Sequence, residues 1–289
     1  MNYRKQLFIL AIALGIFLSF SIDSLSQSKL PTSTAIHYDV YERSQQTIHA
    51  VTIPHDSNYR LVPSVVGELQ GIKEFAEKYN AIAAINGGYF DPVNYKTTSY
   101  IVRDGKLVSD PRTNERLIDN PDLQPYLGKI LNRVELRQYL CQEEVNYDIV
   151  LHSVPVPDNC TLKAALGGGP GLLPQDTSVA EGFIAYQDKE IIRDAIGSNS
   201  LNARSAVGIT PEGDLILVMV AQQSQLPSNS GMSLPDLADF MSTLGVTKAM
   251  NLDGGSSSAL YYDGQTFYGK VDSEGNRVER QIKSVLLIY

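Results

Sequence analysis

Cysteine is scarce in this chain. Cys141 and Cys160 are the only two, and no pair of histidines stands near them. A cysteine-based zinc site is thereby excluded. No long cluster of Lys or Arg occurs, and the formal net charge is -8. The basic patch on which duplex nucleic-acid affinity rests is missing, so nucleic acid is not expected as a partner. The acidic balance says little beyond solubility. No short repeat of solenoid type is present. Apolar runs are also limited. The longest, Leu7 to Phe20, is about 14 residues and short for a bilayer span.

That run belongs to the opening "MNYRKQLFILAIALGIFLSFSIDSLSQS". Arg4 and Lys5 form a positive start, the apolar run follows, and Ser24-Leu25-Ser26 offers small residues for cleavage. This is the pattern of a signal peptide over residues 1–26. The competing reading is an uncleaved membrane anchor, which would be the chain's one association with a membrane. No cysteine near the cleavage region suggests a lipid-modified start. Export makes a Cys141–Cys160 disulfide the natural expectation. It would close a loop of about 20 residues, worth about 3 kcal/mol if unstrained. Without export, two buried thiols would be the alternative.

What is present is an ordinary globular composition, 43% apolar and 19% charged over 289 residues. That supports one large domain or two small ones. Residues 27–34 read as a polar linker, and the rest, 35–289, as the domain. "IHYDVYERSQQTIHAVTIP" alternates like a hairpin. Apolar residues from Val65 to Lys78 recur at spacings of three and four, which predicts a helix. Ala81–Ile85 reads as a buried strand ending in "NGGYFDP". "RDGKL" predicts a turn at Asp104-Gly105. Residues 132–165, with both cysteines and several prolines, read as irregular or edge structure. "ARSAVGITPEGDLILVMVA" predicts a second hairpin. Ser233 to Leu244 reads as a helix capped by Ser233, with Asp236 in its first turn. "VTKAMNL" is then a strand leading to "DGGSSS", and "SVLLIY" a final strand. The expected fold class is α+β, a mixed β-sheet core with a few helices. Two stretches, 65–90 and 233–258, share a helix–strand–Gly-Gly plan that would place both turns at one sheet edge.

Familiar motifs fail on inspection. "GGSSSA" lacks the second glycine of a nucleophile elbow. None of the four histidines (His37, His49, His55, His152) has local support as a base for Ser256 or Ser257. "LGGGPGLL" has leucine where the dinucleotide fingerprint needs its last glycine, and its prolines interrupt any following helix. No Walker-type lysine follows. What remains is four Gly-rich or small-residue elements beside apolar segments, two with an acid and one with an arginine, which look like the lining of a pocket.

These elements, "AAINGGYFD", "GGGP", "ARSAVGI" and "MNLDGGSSSAL" in that order, resemble the phosphodiester glycosidase family over roughly residues 80 to 289. Family members often carry Pro before the arginine and Thr after it; here Ala203 and Ser205 flank Arg204. The resemblance implies a single catalytic domain that hydrolyses a sugar-1-phosphodiester, without fixing the sugar or its partner group. On this reading Asp253 is the first candidate for the carboxylate at the anomeric carbon and Asp91 the second. Arg204 would meet the phosphate with a planar fork of donors. Backbone N–H groups of Gly87-Gly88 or Gly168-Gly169 would add an anion nest. Asn86 and Asn251 would orient hydroxyls or water, Gly254 and Gly255 would hold Asp253, and Ser256 and Ser257 would bind hydroxyls or phosphate oxygens. Tyr89 and Phe90 would pack against a sugar ring. Bland roles compete: an Asx turn for Asp253, a surface ion pair for Arg204, a turn for Asn86, core packing for Tyr89 and Phe90. No cofactor and no metal is expected. A non-catalytic glycan-binding protein of the same fold is the alternative function.

Overall fold

A computed structural model describes residues 34–289. The expected signal peptide and nearly all of the linker lie outside the described residues. Strands β1 (His37–Glu42), β2 (Gln46–Ile53) and β3 (Leu61–Gln70) lead into helix α1 (Ile72–Lys78). Strands β4 (Ala83–Asn86), β5 (Ile101–Arg103) and β6 (Lys106–Ser109) follow, then short helices α2 (Glu115–Ile118) and α3 (Leu127–Ile130). Next come β7 (Val134–Cys141), β8 (Glu144–Leu151), β9 (Cys160–Gly167), β10 (Gly171–Leu173), β11 (Ile184–Gln187) and β12 (Glu190–Asp194). The last third holds β13 (Arg204–Ile209), β14 (Leu215–Gln222), α4 (Leu234–Thr243), β15 (Lys248–Asn251), β16 (Ala259–Tyr262), β17 (Gln265–Tyr268) and β18 (Ile282–Ile288).

The fold is sheet-rich with few helices, as the coarse expectation has it. One sheet has the order β1-β2-β14-β13-β15-β10, a second β17-β16-β4-β18-β3, and a third β6-β5-β9-β7-β8, while β11 and β12 form a separate ribbon. Every ladder between these strands is antiparallel. The three larger sheets share one core, with Val51, Leu217 and Met219 from the first, Ile85, Leu260 and Leu286 from the second, and Ile101, Leu136 and Leu166 from the third. β14 shows why its sequence is apolar throughout. Its alternate residues Leu217 and Met219 face that core, while Ile216, Val218 and Val220 face α4 on the other side. α4 begins where expected: Ser233 caps it by accepting from the Asp236 N–H at 3.2 Å.

Three expectations are corrected. The helix predicted over Val65 to Lys78 is half strand: residues up to Gln70 belong to β3, and only Ile72–Lys78 is helical. Pairing with β18, from Ser284↔Val65 to Ile282↔Gln70, overrides a helix-like spacing in which Val65 and Val66 are β-branched. Residues 132–165 are not irregular. They form β7, β8 and β9, and their prolines, Pro155 and Pro157, fall in the β8–β9 connection. Cys141 and Cys160 sit opposite each other across β7 and β9 and are joined in a disulfide. The two Gly-Gly turns do not share a sheet edge. β4 and β15 belong to different sheets, and the turns meet where the ends of those sheets converge.

Candidate active site

The meeting of the turns is a set of hydrogen bonds. Asp253 N–H donates to the Gly87 carbonyl at 3.1 Å, and Asn86 Nδ2 donates to the Asp253 carbonyl at 2.6 Å. Asn86 Oδ1 accepts from Ser205 Oγ at 2.7 Å and from Ala259 N–H at 3.1 Å. The buried Asn86 amide thus binds protein, tying β4 to β13, β16 and the Asp253 turn. It is spent before any ligand arrives, contrary to its expected role. Three of the four N–H groups expected to form an anion nest, all but that of Gly88, are likewise given to protein carbonyls. Gly87 N–H donates to Ser284 O, Gly168 N–H to Val134 O and Gly169 N–H to Asn251 O. What requires glycine here is crowding. A Cβ on Gly88 would lie 2.2 Å from the Gly167 carbonyl oxygen, and one on Gly168 would lie 2.8 Å from that of Asn251. Gly88→Ala is expected to lower the melting temperature by the equivalent of about 1–3 kcal/mol, the usual cost of overpacking. Thermal denaturation checks this, and an unchanged melting temperature would contradict the close approach.

In front of the junction lies a cavity of about 140 Å³ lined by Tyr89, Ile196, Asn202, Arg204, Asn251, Asp253, Gly254 and Gly255. Asp253 and Arg204 therefore face one hollow. Burial pushes the Asp253 carboxyl up to about 6, against the opposing pull of the Ser257 hydroxyl, the Arg280 charge and the Gly254 N–H. Gly255 shapes the turn beyond it with φ of +60°, a conformation that favours glycine.

Arg204 is 2% exposed and holds no carboxylate. Its Nε donates to Met232 O at 3.0 Å, Nη1 to Ile196 O at 3.1 Å, and Nη2 to Gly197 O and Ser200 O at 2.6 and 2.9 Å. A guanidinium has five N–H groups, so one Nη1 proton is left without a partner among the described residues, on a residue that lines the cavity. Burial lowers the Arg204 pKa, while Tyr89 and Asp194 act in the other direction. Asn251 is oriented by its amide nitrogen, which donates to Tyr89 Oη at 2.7 Å, Leu252 O at 2.6 Å and Gly169 O at 3.3 Å. Its Oδ1 is buried and has no partner. A buried acceptor left unsatisfied is costly, and this one sits on a residue of the cavity wall.

The other candidates lie around this centre. Ser257 is buried and acts on the Asp253 carboxyl. Ser256 Oγ accepts from Arg280 Nη1 at 2.7 Å. Neither serine has a histidine partner: His152 bonds Glu135 and stacks on Tyr100, and His49 bonds Tyr38. Asp91 is not in the cavity. Its Oδ1 accepts from the Val93 and Asn94 N–H groups and its Oδ2 from Arg116 Nε. Although burial opposes them, the bonds to Val93, Arg116 and Asn94 hold its pKa below the ordinary value. A turn-capping, ion-paired carboxylate of this kind is a poor base. A separate cleft of about 330 Å³ is lined by residues including His55, Asp56, Glu143 and Glu144. It includes neither Gly-Gly turn, so the smaller cavity is the candidate site.

Sequence reasoning missed Tyr89 as a polar wall. Its hydroxyl donates to Gly169 O at 2.8 Å, and burial raises its pKa. It also missed Asn202, Ile196 and Arg280, which no motif marks. The pairing of Arg280 with Ser256 and its place over Phe90, 5.1 Å from the ring centroid, depend on the loop before β18 folding back.

Fold and geometry together define a β-sheet domain in which two Gly-Gly turns converge beside a small cavity lined by the Asp253 carboxylate and the buried Arg204 guanidinium. The family model described as phosphodiester glycosidase matches residues 79–289, and the chain belongs to that family. Among curated relatives, an N-acetylglucosamine-1-phosphodiester alpha-N-acetylglucosaminidase of Mus musculus is 33% identical over 94 residues, covering 32% of this chain and 18% of that protein. The match thus spans less than a fifth of the relative. Among solved structures, the catalytic domain of the zebrafish enzyme of that name, auto-inhibited by its pro-peptide, is similar with a TM-score of 0.62 at 19% identity, covering 91% of this chain and 85% of that one. A protein of Burkholderia pseudomallei described as exported gives 0.60 at 14% identity, covering 84% and 74%. A hypothetical protein from Synechocystis gives 0.56 at 16%, covering 87% and 61%. At these identities the structural likeness speaks to the fold.

Proposed function

We propose that the protein is an exported hydrolase that cleaves the glycosidic bond of a sugar-1-phosphodiester in envelope or extracellular glycan. Residues 1–26 would be its signal peptide, 27–34 a linker and 35–289 the catalytic domain. The disulfide supports an oxidising location. The observation that carries the reading is the shared cavity of Asp253 and Arg204.

The chemistry follows from the charges. A phosphodiester bears one negative charge next to the anomeric carbon and leaves as a stable phosphomonoester, so strong proton donation to the leaving oxygen is unnecessary. The remaining Arg204 N–H and its charge face the phosphate. Asp253, ionised, stabilises positive charge developing at the anomeric carbon or activates the attacking water. Asn251 holds the Tyr89 hydroxyl in the cavity wall beside the sugar. Water supplies the new C–O bond, and the phosphate departs with the second substituent still attached. Incubation with a panel of sugar-1-phosphodiesters is expected to yield free sugar and a phosphomonoester, with inorganic phosphate appearing only after a phosphatase is added. Saturable binding across the panel without turnover would establish a glycan-binding protein instead.

A further inference from the structure

Beside the inner cavity lies a larger pocket of about 380 Å³, and the two share Tyr89 and Ile196 as walls. Leu117, Leu123, Ile130 and Phe183 make its sides apolar, and Arg116, Arg133 and Arg193 line it as well. Each guanidinium is anchored through Nε alone. Arg133 Nε donates to Glu181 O at 3.2 Å, Arg193 Nε to Gly182 O at 2.9 Å, and Arg116 Nε to Asp91 Oδ2 at 2.9 Å. Two also lie over rings, with the Arg133 guanidinium carbon 3.7 Å from the Phe183 centroid and that of Arg193 4.7 Å from the Tyr126 centroid. Among the described residues, no hydrogen bond or ion pair uses their terminal nitrogens.

The pocket's one carboxylate, Asp91, is taken by Arg116. Glu181, which also acts on Arg133, sits behind the wall with its oxygens accepting from Val134 N–H, Gly171 N–H and Thr177. An acidic chain therefore keeps two guanidinium groups without a facing carboxylate in one largely apolar pocket. Withdrawing cations from water without a counter-charge is unfavourable. Rigid forks with free terminal N–H groups match phosphate oxygens.

We propose that this outer pocket is a subsite for a second phosphate on the leaving-group side, so that the substrate is a glycan with successive phosphate groups rather than an isolated phosphodiester. The proposal rests on the sugar-phosphodiester reading. It places the scissile phosphate in the inner cavity and the next one among Arg116, Arg133 and Arg193.

Two synthetic substrates with the same sugar test it. One is the methyl diester of the sugar-1-phosphate, and the other carries a short alkyl linker ending in a phosphate monoester. The full protein is expected to favour the second by about tenfold or more in kcat/KM, as charge-assisted bonding to one extra phosphate implies. The preference should shrink as salt is raised. Arg193→Gln and Arg133→Lys are read by the ratio of the two kcat/KM values, and Arg193→Gln should draw it towards one. Equal kcat/KM for the two substrates in wild type overturns the proposal. So does an equal fall for both in Arg193→Gln with the ratio intact, because the scissile phosphate would then occupy the outer pocket. If neither substrate turns over, the panel of sugar-1-phosphodiesters decides the hydrolase reading, and calorimetric binding of the same two compounds decides the subsite: about tenfold tighter binding of the doubly charged compound supports it, and equal binding refutes it.

Discussion

Asp253→Asn is expected to lower kcat by about three orders of magnitude, in the range seen for loss of a positioned acid or base, and at the same time to make the folded protein more stable at neutral pH. Both effects have one cause. The Asp253 carboxyl is pushed up to about 6 because burial penalises its charge. A carboxyl whose pKa is raised by folding is most favourable when protonated. Its stabilising effect is complete below about pH 4 and is lost as pH rises towards 6. Above that range the charged side chain costs the fold on the order of 1–3 kcal/mol, and the neutral amide removes the cost. Wild-type kcat/KM should accordingly rise with pH through an apparent pKa near 6 and level off above it, since the ionised form does the work. A pH–rate profile and a melting curve of the variant at pH 8 are the two measurements. Asp253→Asn with near-wild-type turnover would remove the carboxylate from the mechanism. Activity that falls with rising pH through 6 would recast Asp253 as the proton donor.

What could be read from the sequence divides along a physical line. Local signals were sufficient for the β1–β2 and β13–β14 hairpins, for the Asp104-Gly105 turn, and for α4 with its Ser233 cap. Each is set by residues close in sequence. β3 was misread because its helical spacing is overruled by β18, more than 200 residues away in sequence. The β7–β9 strands escaped notice because the clustered prolines of the β8–β9 connection obscured them and because β9 is held between β7 and the distant β5. At the site, the Asp253 turn and Arg204 were visible as motifs, and the cavity they share follows from two sheets converging. The glycines were read as donors to a ligand, but Gly87, Gly168 and Gly169 give their N–H groups to neighbouring carbonyls. Glycine in a sequence reports that something comes close, without saying whether it is ligand or protein. Arg133 and Arg193 carried no signal, since single arginines in polar stretches look like solvated surface until a ring and an anchoring carbonyl are found beside them.

Arg204→Met and Arg204→Lys together should separate two tasks that this residue combines. The guanidinium ties the loop before β13 to the segment before α4 by donating to the carbonyls of Ile196, Gly197 and Ser200 in the first and of Met232 in the second. Removing it leaves those acceptors in a buried place without their donors. Methionine preserves bulk but satisfies none of them, and a loss of roughly 3–5 kcal/mol is expected, the scale for breaking a buried charged network. For a domain of this size that is a fall of about 10 °C or more in melting temperature. Lysine keeps the charge but presents three donors from one atom, too few and too clustered for four carbonyls, so its melting temperature should be intermediate. Activity is compared well below both transitions. If the positive charge stabilises the departing phosphate, Arg204→Met loses about a hundredfold or more in kcat/KM, while Arg204→Lys recovers a substantial part of it. If the residue only braces the loop that carries Ile196, activity follows stability in both variants, and a folded Arg204→Met protein turns over at nearly the wild-type rate. That result would leave the phosphate to the outer arginines and remove Arg204 from the chemistry. The four carbonyls make the brace certain in the structure, and the place of Arg204 in the wall of a cavity shared with Asp253 is the reason to expect the charge to act as well.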